Sequence, residues 1–130
     1  MHVGVCRFSI VVEHSHSLKE KRSVVRKLRD RVRERFHISL VEVGGQDTWQ
    51  RADLAFSVLT QSRDACDAAL ASVLGFVQHQ GLCEIVAVRR ESALFSEDWF
   101  SSAEPWHEHA DGTSDDWIPA VWKDEDKSRG

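Results

Sequence analysis

Four segments with a two-residue apolar period, two with a helical period, and the order in which they alternate predict an α+β fold for this chain. The order is β-α-β-β-α-β. With right-handed crossovers, the economical solution is a four-stranded antiparallel sheet carrying both helices on one face, the ferredoxin-like arrangement. Residues 1–91 are expected to form that domain. Residues 92–130 are expected to be an irregular acidic tail, mostly disordered or weakly docked.

The elements follow in order. His2 to Val12 is β-rich, and Gly4, Cys6, Phe8, Ile10 and Val12 fall on one face of a strand. Ser17 and Glu20 fit the S-x-x-E capping box and start the first helix. Along it Leu18, Val25, Leu28, Val32 and Phe36 form one apolar stripe, at spacings of 7, 3, 4 and 4. His37 to Val43 reads as the second strand, Gly44 to Asp47 as turn chemistry, and Arg51 to Thr60 as the third strand. Cys66, Leu70, Val73 and Val77 predict a helix from Ser62 to Gln80, with Gly81 as its stop. Leu82 to Arg90 is the fourth strand. After Glu91 the period ends, and both prolines and four of the five tryptophans follow.

The formal charge of −4 conceals a split. Residues 1–90 carry 14 basic and 10 acidic side chains, a balance of +4, whereas residues 91–130 carry 3 and 11, a balance of −8. Much of the positive charge lies in one helix. From Lys19 to Arg35 nine cations face only Glu20, Asp30 and Glu34, a local balance of +6. At about 100° per residue, Arg22, Arg26, Arg29 and Arg33 line up beside the apolar stripe as a ridge. Lys19, Lys21 and Arg22 sit in the first turn, where cations oppose the helix dipole at a cost of a few tenths of a kcal/mol each. Helix stability does not account for that placement.

The stretches VGVCRFSI, SLKEKRSVVRKLRDRVRERF and QDTWQRADLAFSVLT resemble the YlxP-like family of small bacterial proteins, over about Met1 to Arg90. The resemblance implies a ferredoxin-like fold. It also implies an association with RNA or ribosomes, because genes of this largely uncharacterised family often lie among those for transcription elongation and translation initiation. It supplies no catalytic residues, and the tail lies outside its pattern.

The ridge predicts a nucleic-acid interface in which Lys19, Lys21, Arg22, Arg26, Arg29 and Arg33 hold phosphates, since each neutralised phosphate releases condensed counterions. A solvated helix face, or pairing with the protein's own acids, is the plainer account of the same residues. Trp49 and Arg51 are the candidates for contact with a base. The competing account of Trp49 is that it closes one end of the core while Asp47 caps the turn. Neither an RRM aromatic signature nor a KH-type GXXG loop is present. His14 with His16, and His107 with His109, have ligand-like spacing, but neither pair is completed to the three or four ligands that zinc requires. No nucleophile elbow, P-loop or GxGxxG occurs. The three cysteines read as reduced thiols in a cytoplasmic protein. No apolar run reaches bilayer length and no secretory signal opens the chain.

The expectation is a non-enzymatic, RNA-binding or ribosome-associated accessory protein without cofactor, metal or membrane partner. Two accounts of its acidic, Trp-bearing tail stand side by side: a solubilising or partner-recruiting appendage, and a competitor with RNA for the basic helix. The alternative is a protein-interaction or small-ligand module that forms a homodimer through the open sheet face.

Overall fold

The computed structural model describes residues 1–45, 48–106 and 108. Strands β1 (His2–Val11), β2 (Val41–Gly44), β3 (Arg51–Thr60) and β4 (Glu84–Leu94) alternate with helices α1 (Leu18–Phe36) and α2 (Arg63–His79). A short α3 (Glu97–Ser101) follows. The strand order is β2-β3-β1-β4, with every neighbouring pair antiparallel. This is the ferredoxin-like topology that the segment order predicts.

Alternation along the central strands builds the core. Cys6, Phe8 and Ile10 of β1 and Ala52, Leu54, Phe56 and Val58 of β3 are buried on one side of the sheet. Val25, Leu28 and Val32 of α1 and Cys66, Leu70, Val73 and Val77 of α2 close over them in one cluster. Each of the valine, leucine, isoleucine and phenylalanine side chains contributes roughly 1.5–3 kcal/mol on burial. Both helices therefore lie on the same face, and the other face of the sheet is left open.

The helix starts are written in the sequence. Ser17 caps α1, accepting a hydrogen bond from Glu20 N at 3.1 Å. The return bond of the capping box is displaced by one residue, because Glu20 Oε2 accepts from His16 N at 2.6 Å. Ser62 caps α2 in the same way, through Ala65 N at 3.1 Å. Such caps are typically worth about 1 kcal/mol.

Two boundaries differ from expectation. The second strand starts at Val41, not His37, because His37 takes a left-handed conformation (φ 57°) to end α1 and donates its N–H to Arg33 O at 2.9 Å. The fourth strand runs beyond Glu91 to Leu94, because it must match β1 to its first residue: His2 pairs with Leu94. Met1 O then accepts from Phe95 N at 2.8 Å, while the Met1 ammonium donates to Phe95 O at 2.9 Å. As an edge strand β4 is exposed on both faces over most of its length, so no alternation marks its end in the sequence. Trp99 sits in α3 with its ring 5.4 Å from that of Phe95, rather than in an irregular tail. Gln46, Asp47, His107 and residues 109–130, with His109, Trp117 and Trp122, lie outside the described residues, as does the tail's docking on the basic helix.

Candidate nucleic-acid interface

The periodicity of α1 separates its cations by their environment. Lys19, Arg22, Arg26 and Arg33 are exposed and Arg29 is half-buried. They sit on the flank away from α2, since Arg31 on the other flank donates to Gln80 Oε1 at the end of α2, at 2.9 Å. Arg22, Arg26, Arg29 and Arg33 make neither an ion pair nor a side-chain hydrogen bond among the described residues, although Glu20, Asp30 and Glu34 share the helix. From Arg22 to Arg33 the row spans about 16 Å at 1.5 Å per residue.

Lys21 does not belong to that row. Its side chain is 1% exposed, and Nζ donates to Gly45 O at 2.7 Å with Glu42 Oε1 at 3.7 Å. A buried ammonium needs such partners, because desolvating an unpaired charge costs several kcal/mol. The sequence carried a signal for this. The apolar stripe has a seven-residue gap between Leu18 and Val25, and Lys21 occupies the missing helical step three residues after the first and four before the second. Lys21 is thus a tie between the first turn of α1 and the β2–β3 hairpin, withdrawn from any phosphate. Gly45 makes the tie possible: its φ is +75°, and a Cβ there would crowd Arg51 O and Ala52 Cα.

The hairpin carries Trp49, which is 44% exposed and stands with its ring 6.4 Å from that of His16, just before the cap of α1. It does not close the core. The hairpin is held further by Val12 N donating to Gln50 O at 2.7 Å and Thr48 N to Gly45 O at 3.1 Å.

Arg51 goes elsewhere. It lies two residues before Asp53 on the open face of the sheet, donating through Nε to Asp53 Oδ1 and through NH2 to Ser9 Oγ, both at 3.3 Å. Arg7 completes the group with NH2 to Asp53 Oδ2 at 3.3 Å, and Ser9 Oγ donates to Asp53 Oδ1 at 2.6 Å. The Ser9 hydrogen bond and the two guanidiniums hold the Asp53 carboxyl below its ordinary range, against the opposing effect of burial. The grouping of Arg51 with Trp49 is therefore corrected. Alternation along β3 turns Arg51 to the face opposite α1 and commits it to a carboxylate.

Burial raises the Cys6 thiol pKa and pushes that of Cys83 up to about 11. Among the described residues no three His, Cys, Asp or Glu side chains gather in a group that would hold a metal. Among the same residues no helix is long and apolar enough to cross a membrane.

A family model described as a protein of unknown function (DUF503) matches residues 3–90. The uncharacterized protein YlxP of Bacillus subtilis (strain 168) is 35% identical over 75 residues, which is 58% of this chain and 82% of that protein. Among solved structures, a structural-genomics protein, YJCS, aligns over 68% of this chain and 96% of its own, at 12% identity and a TM-score of 0.45. A de novo designed protein with a ferredoxin fold aligns over 84% of this chain and 99% of its own, at 10% identity and a TM-score of 0.41.

Proposed function

This chain belongs to the DUF503 family, and we propose that it is a non-enzymatic RNA-binding or ribosome-associated accessory protein whose interface is the outer flank of α1. The observation that carries this reading is the row Arg22, Arg26, Arg29 and Arg33, in which no cation is neutralised by a described residue of the protein. Lys19 extends it at the N-terminal end. Arg33 complements the dipole at the last turn of α1, but otherwise cations arrayed without ion pairs repel one another. A phosphate backbone running along them supplies the missing anions and gains entropy from released counterions. Lys21 and Arg51 are left out of the interface, since Lys21 is buried and Arg51 pairs with Asp53 on the open face of the sheet.

The alternative, a dimer through the open sheet face, has less support. Val5, Val41 and Leu59 are exposed apolar residues of that face, but the Arg7–Asp53–Arg51 network with Ser9 occupies its middle.

The test is charge reversal at Arg22, Arg26 and Arg29. Their side chains flank the core, so the fold should persist by circular dichroism while RNA affinity falls at least about a hundredfold. With Lys19 and the four arginines each on a phosphate, log K for a single strand should fall with log salt at a slope of roughly −3.5, at about 0.7 per phosphate. Unchanged affinity in the triple variant removes α1 from the interface.

A further inference from the structure

We infer that Trp49, backed by His16, is a base-stacking point at the head of the arginine row, and that the ligand of this surface is therefore single-stranded RNA and not duplex. The inference rests on the reading of α1 as a phosphate-binding flank and names the class of RNA that fits it.

Three observations converge. The indole is 44% exposed although the backbone on either side of it is hydrogen-bonded, Thr48 N to Gly45 O and Val12 N to Gln50 O, so its exposure is a built feature. Its neighbour is His16, one residue before the cap of α1, which sets the indole at the end of the helix where Lys19 and Arg22 begin the cationic row. The bond that fastens the hairpin to this helix comes from the helix itself: Lys21 Nζ donates to Gly45 O at 2.7 Å, and its alkyl chain fills a core position between Leu18 and Val25. Lys21 and Arg22 are adjacent in the chain, so one holds the stacking point while the next begins the phosphate track. Lys21 is a positioning residue for Trp49.

The chemistry separates the two forms of RNA. In an A-form duplex each base face is covered by its neighbours, and a flat side chain beside the helix has nothing to stack on. A single strand can turn a base onto the indole while its phosphates continue along the arginines, and such stacking tolerates any base. Losing one stacked base costs on the order of tenfold in affinity.

The experiment is a fluorescence-anisotropy titration of the full chain with a short labelled RNA of mixed sequence and with its blunt duplex, at one salt concentration. The wild type should prefer the single strand by about tenfold. Trp49→Ala should lose that preference by weakening single-strand binding alone, and Trp49→Phe should keep most of it. Lys21→Met, which retains a buried alkyl chain but frees the hairpin, should also lose the preference while duplex affinity stays put. If the wild type binds both forms equally, or Trp49→Ala weakens both alike, the stacking point is wrong and the arginine row stands. If neither RNA binds, the row fails as an RNA interface and the inference falls with it.

Discussion

The outer flank of α1 and the open face of the sheet are both rich in arginine, and they use it in opposite ways. On the sheet, Arg7 and Arg51 converge on Asp53, itself only 8% exposed and bonded to Ser9, so each guanidinium already has a carboxylate. On the helix, Arg22, Arg26, Arg29 and Arg33 stand beside Glu20, Asp30 and Glu34 without pairing to them. The wheel explains part of the difference. At about 100° per residue, Glu34 lies well round from the arginine row, and Glu20 is engaged with His16 N, while Asp30, only about 40° from Arg26, makes no ion pair with it. The same residue type is structural where the pleat aims it at a buried acid and available where it stands exposed on a helix flank without an ion pair.

The largest effect that would sharpen this contrast is on binding. Replacing Arg7 and Arg51 together by alanine should leave RNA affinity within about twofold, against at least about a hundredfold for reversal of the α1 arginines. A comparable loss from the sheet-face pair, measured by the same anisotropy titration, would move the interface across the sheet and break the distinction.

Stability should show the reverse order. Lys21→Met leaves Glu42 and Gly45 O without their ammonium and should cost about 2 kcal/mol in chemical denaturation. Arg22→Met, one residue along, should stay within about 0.5 kcal/mol. Equal effects at the two positions would mean that Lys21 is not the tie it forms with the hairpin.

Asp53→Asn should be milder, about 1 kcal/mol at neutral pH, because solvent screens its half-exposed arginine partners. The sign of its pH dependence follows from the direction of the shift. The folded carboxyl titrates below its ordinary value of 3.8, so its contribution is present above that value and is lost as pH falls through the folded pKa. The gap between wild type and Asp53→Asn should therefore close on acidification. A gap that holds constant down through that range would show that the ionised carboxylate is not what matters.

The smallest expected signal is at the thiols. Burial pushes the Cys83 thiol up to about 11 and raises Cys6 as well, so alkylation of the folded protein at pH 8 should be far slower than in denaturant. Rapid modification of Cys83 in the native state would contradict its burial against the core.

The sequence by itself determined the topology, both helices and nearly all of the core. Each rests on local rules: alternation in β1 and β3, a 3.6-residue stripe in α1 and α2, and serine caps at Ser17 and Ser62. The arginine row was legible for the same reason, because a helical wheel needs no partner to be drawn. Edge strand β4 was less so, since a strand exposed on both faces carries no alternation to show where it ends. Only the tertiary structure decided which cations are free. Lys21 and Arg22 are chemically alike and adjacent in the chain, yet Gly45 and Glu42, more than twenty residues away, bury one and leave the other in solvent. Arg51 was likewise claimed by Asp53, which the pleat of β3 sets two residues on along the same face. Charge is written residue by residue, but its neutralisation is a long-range contact, and long-range contacts exist only once the sheet has brought its strands together.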